Sequence, residues 1–173
     1  MGQLKNKHGF TLVEAVIAFT MLAIIIGVTS SLILSSMNLY ANTATQDEAR
    51  SLGNYAYNYY FNRLCCAKDI ELVSDTKGYP KAIAVTNDKL QYRKNSGEAF
   101  NEVFSDDFYH GCTLRVNTSV TGYMLTLSVT VLQRDKTLYT KESAFKLINP
   151  AAGKGLLSGT MTTVENPIIY YQD

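Results

Sequence analysis

The segment from Phe10 to Val28 contains a single ionisable residue, Glu14, in an otherwise apolar run. At about 1.5 Å rise per residue, a helix over this stretch nearly crosses a hydrocarbon core of roughly 30 Å. Leu32, Ile33 and Leu34 carry the apolar character further, enough for a full span. A carboxylate in such a helix costs about 2.5–3.5 kcal/mol on insertion scales and is usually kept for a function. What pairs with Glu14 is therefore the first question the chain poses. Lys5 and Lys7 precede the run, so the positive-inside rule keeps the N-terminus cytoplasmic and sends everything after the helix outward.

The basic leader does not read as an ordinary secretory signal. Such a signal is cut behind its apolar core, after small residues in an A-x-A-like arrangement. Behind this core stand Ser30, Ser31, Ser35 and Ser36, and none makes such a site. A lipoprotein needs a cysteine at the end of the core, and the first cysteine is Cys65. A cut before the core, between Gly9 and Phe10, fits better. It leaves the helix in the mature chain with a free amine on Phe10.

Gly9-Phe10-Thr11-Leu12-Val13-Glu14 resembles the processing site of type IV pilins and pseudopilins, and the resemblance covers residues 1 to about 60. It implies cleavage by a prepilin peptidase after Gly9 and N-methylation of Phe10. It also implies that Glu14 pairs with the Phe10 amine of a neighbouring subunit, so that a filament accepts one axial stagger. Either charge is expensive to bury alone and less so when paired. The bland alternative is a Glu14 that snorkels to water at the helix N-terminus, where the dipole also favours it. Many pilins carry a proline about two-thirds along this helix. Here the region reads Gly27-Val28-Thr29-Ser30-Ser31, which points toward a minor pilin or pseudopilin. Gly27 and the serines are positions where the helix could loosen.

No Gly or Pro interrupts Thr29 to Leu52, and Leu52, Ala56, Tyr60 and Leu64 repeat at i, i+4 on one face. One helix is expected from about Phe10 to about Lys68, bent if anywhere near Gly27 or Gly53. Tyr55, Tyr57, Tyr59 and Tyr60 suit either a helix–sheet packing layer or a stacking platform for nucleic acid, and packing is the simpler reading. Beyond the helix the chain reads as antiparallel sheet. Lys81–Thr86 and Lys89–Arg93 flank Asn87-Asp88, a good hairpin turn. Cys112, Leu114 and Val116 alternate with polar residues, as do Leu125, Leu127, Val129 and Val131. Turns are expected at Thr121-Gly122 and Arg134-Asp135-Lys136, a strand over Leu138–Leu147, and a loop over residues 94–111. Ile168–Tyr171 either returns to the sheet or frames a subunit contact. The expected class is α+β, a long N-terminal helix packed on a meander of four to six antiparallel strands. The expected division is a leader at 1–9, a membrane and filament-core helix at 10–34, its amphipathic continuation at 35–68, and a β-rich head at 69–173.

Chemistry is scarce. His8 falls in the leader and His110 in a loop. His110-Gly111-Cys112 offers too few ligands for zinc, and Asp106-Asp107 lacks an EF-hand pattern. No phosphate loop, serine-nucleophile signature or H-E-x-x-H motif is present. The net charge of +1 falls to about −1 without the leader lysines, which removes any general electrostatic case for DNA. No cofactor, metal or catalytic activity is expected. Asn117-Thr118-Ser119 matches a glycosylation sequon inside a strand pattern, as chance alone would produce. A disulfide from Cys65 or Cys66 to Cys112 would tie the helix end to the sheet; the alternative is reduced, buried thiols. The adjacent pair is poorly placed to bond to itself. The C-terminal cysteine pair of many Gram-negative pilins has no counterpart here.

The resemblance implies a structural subunit of a type IV pilus, type II secretion system or competence filament. Its partners would be prepilin peptidase, other pilin subunits through the N-terminal helix, the assembly platform and its ATPase, and membrane lipid before assembly. It would sit in the inner or cytoplasmic membrane with an exported head, then in a periplasmic or extracellular filament. A filament-tip adhesin or DNA-uptake module is the second reading, and an enzyme on a plain membrane tether the third.

Overall fold

The computed structural model describes residues 11–72, 78–121, 124–148 and 164–172. Its architecture is α+β and pilin-like, a long N-terminal helix with antiparallel sheets packed on its later turns. The chain forms two compact units, one ending at Ala44 and one beginning at Thr45.

Helix α1 (Leu12–Leu64) runs through Gly27 and Gly53 without interruption. Its start is a capping box. Thr11 precedes the first helical residue, and Glu14 lies three positions on. The Glu14 amide donates to Thr11 Oγ1 at 3.3 Å, while the Thr11 amide and hydroxyl each donate to Glu14 Oε2 at 2.9 Å. In the first unit every helix residue except Ala15 is exposed up to Thr43, including Leu12, Phe19, Ile24, Leu32 and Tyr40. The hydroxyls of this stretch turn back onto their own helix. Thr20 donates to the Ile17 carbonyl, Thr29 to that of Ile25 and Ser31 to that of Val28, each at 2.8 Å. These bonds need no outside partner, so they suit apolar surroundings and leave Gly27 and its neighbours helical.

In the second unit α1 becomes a packing helix. Leu52, Ala56, Tyr60 and Leu64, the stripe read from the spacing, are all buried, and Ala49, Gly53 and Tyr57 join them. Gly53 lets a strand close in: a Cβ there would lie 2.5 Å from Cδ1 of Tyr139 and 3.1 Å from Cγ2 of Val131. Among the described residues nine strands make two sheets rather than the expected single meander. Strands β1 (Asp69–Leu72), β2 (Lys81–Thr86), β3 (Lys89–Arg93), β4 (Asn101–Glu102) and β9 (Ile169–Gln172) form a five-stranded sheet in the order β1-β9-β2-β3-β4. Strands β5 (Thr113–Thr121), β6 (Met124–Gln133), β7 (Lys136–Lys146) and β8 (Val164–Glu165) form a four-stranded sheet in the order β7-β6-β5-β8. All pairings are antiparallel.

The two-residue turns account for much of this order. Asn87 and Asp88 sit at φ of 53° and 62°, and Arg134 and Asp135 at 50° and 63°, the left-handed pair that matches strand twist in tight hairpins. The expected loop over 94–111 contains β4 and a short helix, α2 (Asp106–Tyr109). The Tyr109 hydroxyl accepts the Leu90 amide at 2.9 Å and moors α2 to β3. Ile169–Gln172 does return to the sheet, between β1 and β2, and Ile169 and Tyr171 are buried there. The Thr121-Gly122 turn extends outside the described residues.

The helix touches both sheets. Phe61 meets Phe145 of β7 edge to face at 5.0 Å, and Tyr59 meets Tyr92 of β3 at 6.2 Å. The Tyr139 hydroxyl and the Lys141 ammonium both donate to Asn54 Oδ1, at 3.2 and 3.0 Å. The helix end is also satisfied, since the Cys65 carbonyl accepts the Ile148 amide at 3.1 Å.

Candidate functional site

The first unit carries the feature that most needs a function. Soluble proteins rarely expose contiguous apolar patches larger than a few hundred Å². Here apolar side chains stand exposed on all sides from Leu12 to Tyr40, and this part of α1 is long and apolar enough to cross a membrane. Such a surface demands lipid or other helices. The one carboxylate in it, Glu14, lies in the first helical turn. Its bonds to the Thr11 amide and hydroxyl hold the carboxylate at the N-terminal end of the helix, where the aligned peptide dipoles favour negative charge. The capping-box spacing Thr11-Leu12-Val13-Glu14 was the signal for this second role. Gly9 and Phe10 lie outside the described residues.

In the second unit the three cysteines are free thiols. The disulfide expected from Cys65 or Cys66 to Cys112 is not formed in this structure. Cys112 is buried among core residues, and its thiol is pushed up by burial and then by the Glu48 carboxylate. Cys65 and Cys66 instead bring their sulfurs to 3.5 Å of each other just past the end of α1. Burial, then the Cys66 sulfur, raises the Cys65 thiol. His110 caps α2 in the left-handed conformation, with φ of 49°. Asp106 forms an ion pair with Lys89, which also holds Glu102 at 3.1 Å. No group of three or more His, Cys, Asp or Glu residues is placed to hold a metal among the described residues. Tyr57 and Tyr60 are buried, as the packing reading expects, while Tyr55 is exposed and meets Phe108 edge to face at 5.6 Å.

These features define a class: an α+β chain whose N-terminal helix is long and apolar enough to cross a membrane and carries one carboxylate in its first turn. The prokaryotic N-terminal methylation motif, the type IV prepilin-like signature, matches residues 4–30. This stretch includes the leader lysines, Gly9, Phe10 and Glu14. No curated protein and no solved structure is significantly similar to the chain. The motif points to prepilin-type processing, membrane anchoring before assembly, and a structural rather than enzymatic subunit.

Proposed function

We propose that this chain is a minor pilin or pseudopilin, a structural subunit of a type IV pilus or of a related type II secretion or competence filament. The observation that carries the reading is the coincidence of the methylation motif at residues 4–30 with a helix whose apolar surface is exposed all round. Prepilin peptidase removes residues 1–9 and methylates Phe10. Residues 10–34 then serve as membrane anchor and later as filament core, residues 35–68 carry the helix into the head, and residues 69–173 are the exported head. The other partners are further pilins, the assembly platform and its ATPase.

Glu14 changes partners in this scheme. In the single chain its carboxylate is held by Thr11. In the filament the new Phe10 amine of a neighbouring subunit supplies a full positive charge at the same depth. Thr11 offers that carboxylate only neutral donors, whereas the amine brings an opposite full charge into a dry core where neither charge is readily buried alone, so the exchange favours the one stagger that brings the two together.

The test is mass spectrometry of the N-terminus after co-expression with a prepilin peptidase, for wild type and Gly9→Ala. A mature chain beginning at methylated Phe10, and lost in the variant, supports the reading. An intact leader, or a cut behind the apolar core, overturns it.

A further inference from the structure

At the end of α1, on the head, a recess of about 480 Å³ is lined by Tyr59, Asn62, Arg63, Cys66 and Tyr171. Arg63 is its one cation. The guanidinium carbon lies 4.6 Å from the Tyr59 ring centre and 4.3 Å from that of Tyr92. These cation–π contacts hold the group in place, with the Tyr59 and Tyr171 hydroxyls as its polar neighbours. Among the described residues no carboxylate is paired with Arg63. The second observation is independent. Tyr171 is fully buried, and its hydroxyl has no hydrogen-bond partner of normal geometry, although Arg63 and Tyr92 are its polar neighbours. Arg63 lies where it can donate to the Tyr171 oxygen, and a buried hydroxyl whose own proton finds no acceptor costs about 1–3 kcal/mol, so that proton and the remaining guanidinium N–H groups are available to an anion.

We propose that this recess is a binding site for a carboxylate, received by the edge of the Arg63 guanidinium and by the Tyr171 hydroxyl. The rings of Tyr59 and Tyr92 flank the guanidinium, leaving its N–H fork as the accessible donor set. A planar carboxylate matches that fork with two parallel hydrogen bonds. Asn62 adds an amide, and the tyrosine rings offer flat apolar walls to whatever carries the acid. The recess is large enough for one acidic monosaccharide or for one acidic side chain of another protein. The chemistry is the same for both sources. The site involves none of the processing residues, so it stands or falls apart from the filament reading.

The test titrates the full chain in detergent micelles with two acids, glucuronate and an N-acetylated, C-amidated Ala-Glu-Ala peptide. Glucuronamide and the matching Ala-Gln-Ala peptide serve as neutral controls. The readout is the Arg63 side-chain N–H resonance together with tyrosine difference absorbance. Saturable binding of either acid, with the neutral partner at least about tenfold weaker, supports the site. Glucuronate alone binding identifies a free small acid as the source, and the peptide alone a protein side chain. Arg63→Gln should weaken binding at least about tenfold. Tyr171→Phe should weaken it about three- to tenfold while leaving the ligand-free melting temperature unchanged or higher. The phenylalanine variant decides the matter if the glutamine variant fails to fold. No saturable binding by either acid, neutral controls that bind equally, inorganic phosphate binding more tightly than both, or Tyr171→Phe binding as wild type would each overturn the proposal.

Discussion

Gly53→Ala is a substitution whose sign the structure reverses. In an exposed helix interior, alanine is favoured over glycine by about 1 kcal/mol. At Gly53 the new methyl would meet Cδ1 and Cε1 of Tyr139 at 2.5 and 2.8 Å, and Cγ2 of Val131 at 3.1 Å. Carbon atoms pack comfortably at about 3.5–4.0 Å, so the ring must retreat by about 1 Å. The ring is held at its far end, where the Tyr139 hydroxyl donates to Asn54 Oδ1. Retreat forfeits that bond, about 1 kcal/mol, and adds an overpacking cost of about 1–3 kcal/mol. Net of the propensity gain, Gly53→Ala should destabilise the head by about 1–3 kcal/mol and lower its melting temperature by roughly 4–10 °C. Near-UV circular dichroism of the full chain in detergent follows this through the tyrosines. The decisive arm is a double-mutant cycle with Tyr139→Ala. Once the ring is gone the methyl has room, and Gly53→Ala should then stabilise by up to about 1 kcal/mol. If Gly53→Ala stabilises the wild-type background to the same extent, the close approach of β7 to α1 is refuted.

Further outcomes follow from the same coordinates. Tyr60→Phe removes a fully buried hydroxyl that lacks a hydrogen-bond partner, so the melting temperature should stay level or rise; a loss above about 1 kcal/mol would mean the hydroxyl is paired after all. Asn54→Ala takes the shared acceptor from Tyr139 and Lys141 and should cost about 1–2 kcal/mol in urea unfolding. Burial raises the Tyr60 and Tyr171 hydroxyls far above their usual range. The folded head therefore keeps protons that the unfolded chain sheds near pH ~10, and stability present below that pH is lost as the pH rises through it. Urea midpoints measured from about pH 8 to about pH 11 should fall only in the upper part of that range, and a flat profile contradicts the burial. Under native conditions iodoacetamide should label the exposed Cys66 first and leave the buried Cys112 intact until unfolding; peptide mapping by mass spectrometry reads the order, and early loss of Cys112 would contradict its place in the core.

Legibility followed the physical strength of each local signal. The Leu52–Leu64 stripe, the alternation of Leu125, Leu127, Val129 and Val131, and the Asn87-Asp88 turn each carry a period or a backbone demand within a few residues, and each appears where expected. Strands β4 and β8 are two residues long and too short to show any period. β1 has only four residues, close behind the helix end, too few to set it apart from a connecting loop. The division into two sheets depends on which distant strands meet, and no local pattern encodes that. The recess is hidden for the same reason: Arg63 and Tyr171 come from opposite ends of the head. Glu14 was found through its apolar surroundings, yet its bonds to Thr11 were legible all along in the Thr-x-x-Glu spacing.

The place of β9 between β1 and β2 governs how the head can be made. The strand nearest the helix has β9 as its sheet neighbour, supplied by residues 169–172. Until that segment has left the ribosome, β1 and β2 both present open edges, and open edges recruit foreign strands. The apolar helix is thus synthesised long before the sheet can close. A chain stalled or clipped before Ile169 would keep these edges open, a ready target for proteases and chaperones. Late closure of this sheet makes its completion a physical mark of a finished chain.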